Sequence, residues 1–215
     1  MSGFQSDDAL RTYASMGEAH MVWLMIDQGA DVNCRDEEGR TPLHLAASAH
    51  KDTLRTVQVL LYRGALLDVR DNAGESPLHK AASSNNTDVA LLLIKRHMDI
   101  NATSNNGFTP LHVASLLGYS EMVTLLIGAG ANVDAIDKEG HTPLHAAGYA
   151  NKRDIAQLLI AGGINTDVKD NKGRTALDYF DGWQTREAGR AETNRKTARR
   201  KGHLLDRARQ MLRKP

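Results

Sequence analysis

A four-residue motif returns at nearly constant intervals along this 215-residue chain and constrains its fold more than any other feature. The prolines of successive full copies are separated by 35, 33 and 33 residues. A period of this length is typical of one supersecondary unit that buries its apolar face only against neighbouring copies. The four full copies and one degraded copy are Thr41-Pro42-Leu43-His44, Ser76-Pro77-Leu78-His79, Thr109-Pro110-Leu111-His112, Thr142-Pro143-Leu144-His145 and Thr175-Ala176-Leu177-Asp178.

Each part of the repeat has a local structural reason. Serine or threonine at the start of the motif is a favoured helix N-cap, and the proline that follows fits the first helical position. A glycine two residues earlier permits the positive φ of a tight turn. Aliphatic blocks such as Leu158-Leu159-Ile160 follow at helical spacing, and glycines such as Gly64 and Gly130 mark left-handed helix ends. The pattern predicts repeated pairs of helices that are joined by turns.

Departures from the repeat lead to local predictions. The first full repeat is two residues longer, and the excess near His50–Thr56 predicts a longer loop between its helices. His97 stands where other copies have a helix-ending glycine, so we expect a less regular end there. Asn85 and Asn151 stand at the position that Gly118 occupies in the third full repeat. Asparagine tolerates the left-handed conformation, so we expect the same turn.

The motif, its spacing and the residues around it resemble the ankyrin repeat over roughly residues 5–181. The resemblance implies an all-α ankyrin-repeat solenoid of stacked helix pairs with β-turn tips, plus a basic C-terminal helical tail. It also implies that the motif histidines are structural and bond between neighbouring turns. The predicted units are an N-terminal capping repeat at 1–35, repeats at 36–70, 71–103, 104–136 and 137–169, the start of a C-terminal capping repeat at 170–181, and a basic tail with an amphipathic helix at 182–215.

The C-terminal segment differs in charge from the rest of the chain. Residues 182–215 carry a net charge of +8, whereas residues 1–181 carry −7. Residues 204–212 place their apolar side chains on one helical face. This helix is either the second helix of the last repeat, displaced by a basic insertion, or a free amphipathic helix that docks on a partner. The basic residues expected to make contacts are Arg195, Lys196, Arg199, Arg200 and Lys201.

No motif of the chain indicates catalysis, and we expect neither a cofactor nor a bound metal. Cys34 is the one cysteine, and the nine histidines are not spaced like zinc ligands. His141 and His145 are four residues apart, but the cap at Thr142-Pro143 separates them, so we expect that they do not share a helix face. The segment Gly128-Ala129-Gly130 lacks the third glycine and the strand of a dinucleotide site.

Candidate binding residues occupy positions that the repeat leaves variable. In ankyrin repeats these positions lie on the turn tips and on the exposed side of the first helix, which together line a concave face. The predicted partner-binding residues are Arg40, Glu75, Lys80, Phe108, Leu116, His141, Tyr149 and Arg174. We expect Phe108, Leu116, His141 and Tyr149 to form one exposed apolar-aromatic patch. Alternatively, Phe108 and Tyr149 pack on each other or on the next turn.

The resemblance implies a non-catalytic scaffold or adaptor that binds a protein partner through its concave face. The basic tail is expected to add a second contact with an acidic protein surface. In the alternative, the chain is a subunit of an RNA or DNA complex, and the tail binds phosphates. Trp23 either meets a partner or closes the N-terminal cap. The single cysteine and the N-terminal sequence predict an intracellular protein of the cytoplasm or nucleus, without a membrane span, that is a monomer or part of a hetero-complex.

Overall fold

The computed structural model describes residues 3–49 and 53–180. The chain divides into two compact units, Met1–Asn105 and Asn106–Pro215, which we call unit 1 and unit 2 and describe separately. The described residues form ten α-helices and one 3-10 helix, with no strand among them beyond an isolated bridge between Lys169 and Thr175. The predicted all-α repeat architecture is therefore confirmed, whereas the predicted tail helix and its five basic contact residues lie outside the described part.

Unit 1 contains three consecutive helix pairs. Helices α1, α3 and α5 pack side by side, and α2, α4 and α6 form a second layer against them. Leu43, Leu60, Leu78 and Leu93 are fully buried between the layers. The helices are α1 (Gly3–Met16), α2 (Ala19–Asp27), α3 (Pro42–Ser48), α4 (Leu54–Tyr62), α5 (Pro77–Ser83) and α6 (Thr87–Lys95).

Unit 2 has the same two-layer arrangement. Helix α7 packs against α8 and α9, α10 packs against α8 and α9, and the 3-10 helix packs against α9. Leu111, Leu126, Leu144 and Leu159 are fully buried. The elements are α7 (Pro110–Leu117), α8 (Ser120–Gly128), α9 (Pro143–Tyr149), α10 (Arg153–Ala161) and the 3-10 helix (Ala176–Tyr179).

The repeated motif fixes the start of each first helix, as predicted. The Thr109 hydroxyl accepts a hydrogen bond from the His112 amide at 3.4 Å, and His112 Nδ1 accepts one from the Thr109 amide at 3.1 Å. This capping box is present at all four full motifs. In the degraded copy Asp178 replaces the histidine, and its carboxylate accepts from the Thr175 amide at 2.8 Å.

The second helices end on left-handed residues, and one sequence prediction about these ends is wrong. His97 has a φ of +65°, and the amides of His97 and Met98 donate to Ile94 and Leu93, as in the glycine-ended repeats. The helix end is therefore regular, because a single left-handed residue suffices and histidine adopts that conformation at a cost. The glycines at the other ends, with φ of +90° to +93°, are Gly64, Gly130 and Gly163.

The other two predicted departures are confirmed. Asn85 and Asn151 have φ values of +54° and +51°, and Gly118 has +84°, so all three hold the same left-handed turn between helices. Helices α3 and α4 are separated by residues 49–53, whereas α5 and α6 are separated by residues 84–86. The middle of the longer segment lies outside the described residues.

Successive turns are joined within each unit by a row of backbone hydrogen bonds. Gly140 lies in one of these turns: its φ is +79°, and a Cβ at that position would come within 2.9 Å of Asn171 Oδ1. Glycine is thus required both by the turn and by the close approach of the next one. The bonds run from Asn72 to Glu38 and Asn105 to Ala73 (both 2.9 Å) in unit 1, and from Lys138 to Asn106 (3.1 Å) and Asn171 to Glu139 (3.0 Å) in unit 2.

None of the helices within residues 3–49 and 53–180 is both long and apolar enough to span a membrane.

Candidate functional site

An aspartate closes the turn that precedes each of four first helices. In unit 2, Asp137 Oδ1 accepts hydrogen bonds from the backbone amides of Glu139 and His141, both at 2.8 Å. Sequence reasoning missed this role, although an aspartate stands three residues before the turn glycine in four of the five copies, with Ser104 as the exception. These aspartates are Asp36, Asp71, Asp137 and Asp170.

The motif histidines join one turn to the next, as the sequence predicts. His145 Nδ1 accepts from the Thr142 amide at 3.1 Å, so the proton of the neutral ring lies on Nε2, 3.2 Å from the Arg174 carbonyl oxygen. Burial lowers the pKa of His145, which favours this neutral form. The corresponding Nε2–oxygen distances are 3.0 Å from His44 to Glu75 and 3.0 Å from His112 to His141.

The candidate residues of unit 1 are held in ion pairs. Lys80 Nζ lies 2.7 Å from Asp71 Oδ2 and also bonds to the Glu75 carboxylate. The Lys80 side chain is 17% exposed and that of Asp71 only 4%. Burial by itself lowers the pKa of Lys80, but its hydrogen bonds to the two carboxylates outweigh burial and raise it. A partner that binds Lys80 or Glu75 must therefore compete with an existing partner inside the protein.

Arg40 is the most accessible of the three candidates in unit 1. Its Nε lies 2.7 Å from Asp36 Oδ2, and a terminal nitrogen lies 3.1 Å from Glu38 Oε2. The side chain is 38% exposed, and exposed pairs of this kind contribute little to stability.

Unit 2 contains a cleft of about 410 Å³ between its turn tips and first helices. The cleft brings together all four residues of the predicted apolar-aromatic patch, which come from two successive repeats. Phe108 and His141 lie at the turn end, and Leu116 and Tyr149 lie on α7 and α9. The remaining wall is formed by Asn106, Asp137, Lys138, Glu139, His145, Ala146 and Tyr179.

Tyr149 is the most open aromatic ring of this cleft. Its side chain is 79% exposed, so it is not buried against Phe108, contrary to one alternative from the sequence. Phe108 is half-buried and meets the ring of His112 edge-on at a centroid distance of 5.7 Å. His141 precedes α9 and shares no helix face with His145, yet the centroids of their rings are only 5.7 Å apart.

Tyr179 connects the two acidic turns of unit 2, a role that sequence reasoning missed. Its hydroxyl donates to Asp170 Oδ2 at 2.6 Å and lies 3.1 Å from His141 Nε2. His141 Nδ1 in turn lies 3.2 Å from Asp137 Oδ2. The guanidinium of Arg174 lies 4.3 Å above the Tyr179 ring and 3.1 Å from Asp170, so this candidate residue is already paired within the protein.

These contacts shift the acidity of both members of the Asp170–Tyr179 bond. Burial by itself raises the pKa of Asp170, but hydrogen bonds from Tyr179 and from the amides of Arg174 and Lys172 hold it well below its usual range. Burial and the neighbouring Asp170 carboxylate raise the pKa of Tyr179 to about 12. At neutral pH the pair is therefore a carboxylate and a phenol, which keeps the hydrogen bond between them.

Trp23 lies outside the cleft, in unit 1, where it connects α2 to α4. Its ring stacks on Tyr62 with centroids 5.6 Å apart and an interplanar angle of 19°. The guanidinium of Arg63 lies 4.6 Å from the Trp23 ring centroid and is also paired with Asp27 at 2.6 Å. These contacts favour the interpretation that Trp23 closes the N-terminal cap.

No group of three or more His, Cys, Asp or Glu side chains within the described ranges is arranged to hold a metal ion. The cleft instead combines the exposed ring of Tyr149 with the exposed carboxylate of Glu139 and with Lys138.

Comparison with known proteins agrees with this geometry. A family model for ankyrin repeats, three copies long, matches residues 3–71, 49–137 and 118–179. A stretch of 55 residues is 40% identical to the Neurogenic locus Notch protein of Drosophila melanogaster, over 26% of this chain and 2% of that protein. The chain thus spans a small fraction of the length of this relative. Since the family model covers most of the chain, the chain belongs to the ankyrin-repeat family.

Proposed function

We propose that this chain is a non-catalytic scaffold or adaptor that binds a protein partner through the turn tips and first helices that line the concave face. Ankyrin repeats are generally protein-interaction modules. The observation that carries the proposal is the cleft of unit 2, in which the 79% exposed ring of Tyr149 lies beside Phe108, Leu116 and His141. Exposed aromatic residues inside a concave surface are typical anchors of protein interfaces.

The helical scaffold supports this proposal because it holds the anchors in place before a partner arrives. Tyr149 and Leu116 project from α9 and α7, and the turn ends are fixed by the aspartates and capping boxes. A preorganised surface loses little conformational entropy on binding, so more of the interaction energy appears as affinity.

The proposal gives the basic segment at residues 182–215 a second contact, with an acidic protein surface. Its charge of +8 also supports the alternative, a subunit of an RNA or DNA complex, because clustered cations bind phosphates. In either case we place the protein inside the cell, in the cytoplasm or nucleus, as a monomer or as one subunit of a hetero-complex.

A comparison of captured partners tests this function. The full chain, Tyr149→Ala and Leu66→Ala are each used to capture proteins from a lysate, with and without nuclease. Leu66 is the control because it is an apolar residue that is 59% exposed but lies outside the cleft. We expect specific partners to be lost with Tyr149→Ala, kept with Leu66→Ala and unaffected by nuclease.

A second variant distinguishes the protein-binding scaffold from the alternative, a subunit of a nucleic-acid complex. When Arg195, Lys196, Arg199, Arg200 and Lys201 are replaced by glutamine, we expect the partners to be retained in reduced amount. Loss of all partners on this replacement or on nuclease treatment, with no effect of Tyr149→Ala, would instead identify a nucleic-acid complex.

A further inference from the structure

Two groups of the unit 2 cleft remain open to a ligand. The hydroxyl and ring of Tyr149 have no hydrogen bond or ring contact with any residue that the structure describes. The Glu139 side chain is 70% exposed, and its Oε2 lies 3.7 Å from Nδ1 of the His141 ring. An aromatic face and a carboxylate are both groups that attract a cation.

The same unit already contains an example of this recognition. Arg174 lies over the face of Tyr179, and its guanidinium is paired with the carboxylate of Asp170. The arginine thus has an aromatic ring on one side and a carboxylate at its edge. Tyr149 and Glu139 bring the same two kinds of group to one cleft.

The charges around the cleft also favour a cation. Residues 106–180 contain eight acidic and six basic side chains. Among the residues that line the cleft, Lys138 is the one lysine or arginine, against the carboxylates of Asp137 and Glu139. The carboxylate of Asp137 is hydrogen-bonded to backbone amides and lies 3.2 Å from the His141 ring, and it forms no ion pair with a lysine or arginine among the described residues. A basic segment therefore fits this surface better than an acidic one.

We infer that the cleft binds a basic segment of the protein partner, with arginine side chains that stack on Tyr149 and pair with Glu139. This inference rests on the proposed function and adds the chemistry of the partner to it. Arginine suits both contacts because its planar guanidinium stacks on rings and bonds to carboxylates.

The test uses the peptide acetyl-Arg-Ala-Ala-Arg-amide as the probe and its citrulline analogue, which has the same shape without charge, as the control. Backbone amide resonances of the full chain are followed by NMR during titration at low salt. We expect saturable shifts that are centred on Glu139 and Tyr149, and binding of the citrulline peptide at least about fivefold weaker.

Point variants identify the two contacts. Tyr149→Leu and Glu139→Gln are each expected to weaken binding of the arginine peptide about twofold to fivefold. Tyr149→Phe keeps the ring and is expected to bind as the wild type does. Glu121→Gln removes an exposed carboxylate from α8, outside the cleft lining, and is expected to change nothing.

Four results would overturn the inference. Equal binding of the two peptides would show that charge is not recognised, and wild-type affinity in Tyr149→Leu and Glu139→Gln would place the site elsewhere. Displacement of residues 182–215 by the probe, seen as shifts of their amide resonances, would identify the chain's own basic segment as the occupant. Failure of the peptide to bind, with Tyr149-dependent capture of partners intact, would leave the proposed function standing and reject only the basic partner.

Discussion

In unit 1 the second carboxylate oxygen of Asp71 lies 2.7 Å from the ammonium group of Lys80, whereas in unit 2 the corresponding oxygen of Asp170 accepts a hydrogen bond from Tyr179 at 2.6 Å. Both aspartates close the same kind of turn with their other oxygen. The units therefore share the hydrogen bonds that close the turn and differ in the group that pairs with the second carboxylate oxygen. In unit 1 the second oxygen of Asp71 pairs with the largely buried ammonium group of Lys80. In unit 2 the second oxygen of Asp170 is shared between the Tyr179 hydroxyl and the exposed guanidinium of Arg174, beside an open cleft.

This difference shows where the repeat leaves freedom. The first carboxylate oxygen accepts hydrogen bonds from the backbone amides of the turn. The second oxygen faces the variable side of the first helix, so its partner can be chosen for charge or for aromatic surface.

The largest effect is expected in unit 1, from Lys80→Met. The substitution leaves the carboxylate of Asp71 buried without its cation, which we expect to cost about 2–3 kcal/mol of unfolding free energy. Urea unfolding of the full chain measures this loss, and Arg55→Met serves as the control because Arg55 is exposed on α4. Equal unfolding free energies of the two variants would show that the Lys80–Asp71 pair does not stabilise the chain.

A pair of reciprocal changes compares the helix ends of the two units. His97→Gly removes the strain of a left-handed histidine in unit 1 and is expected to raise stability by about 1 kcal/mol. Gly130→Ala introduces the same strain in unit 2, where a Cβ would meet no atom within 4 Å, and is expected to lower stability by about 1 kcal/mol. Thermal unfolding checks both values, and shifts of the same sign would contradict the shared geometry.

The Tyr179→Phe variant tests the hydrogen bond between Tyr179 and Asp170 through the pH dependence of stability. The pKa of Asp170 is lower in the folded chain than in the unfolded chain, so its stabilisation is present above the unfolded pKa and is lost as the pH falls through the folded pKa. Removal of the hydroxyl raises the folded pKa, so we expect acid unfolding to begin at higher pH. Tyr149→Phe is the control, since its hydroxyl has no hydrogen bond with a described residue. Circular dichroism against pH gives the midpoints, and identical curves would contradict the prediction.

The smallest effect on stability is expected at the residue proposed to matter most for binding. Tyr149→Ala removes a ring that is 79% exposed, so the unfolding free energy should change by less than about 0.5 kcal/mol. A loss of more than 1 kcal/mol in urea unfolding would show that Tyr149 supports the fold. Tyr149 would then have a structural role, as Lys80 and Asp71 have in unit 1.

The helices and their caps could be predicted from the sequence because local rules determine them. The Thr-Pro-Leu-His motif contains an N-cap, a first-turn proline and a histidine that completes the cap, all within four residues. The left-handed asparagines were predicted for the same reason. The error at His97 came from treating glycine as necessary where it is only favoured.

The pairing of side chains could be predicted only in part. The ring contact of His141 with Tyr179 joins residues 38 apart, and that of Trp23 with Tyr62 depends on the packing of α2 against α4. Such contacts depend on the orientation of neighbouring repeats, which the motif does not encode. Lys80 was predicted as a partner-binding residue on the exposed side of the first helix, and its pairing with Asp71, nine positions earlier in the turn before that helix, was missed.

The row of hydrogen bonds between turns has a consequence for how such a chain can evolve. Backbone atoms provide one set of bonds between neighbouring tips, and asparagine side chains such as Asn72 and Asn171 add others, whereas most other tip side chains take no part. Tip residues other than these asparagines and the turn glycines are therefore open to mutation one at a time, without selection for a compensating change in the adjacent copy. A whole period of 33 residues can also be duplicated or deleted as a cassette, since the new neighbours offer the same donors and acceptors. Binding specificity can then diverge quickly while the architecture that displays it is inherited unchanged.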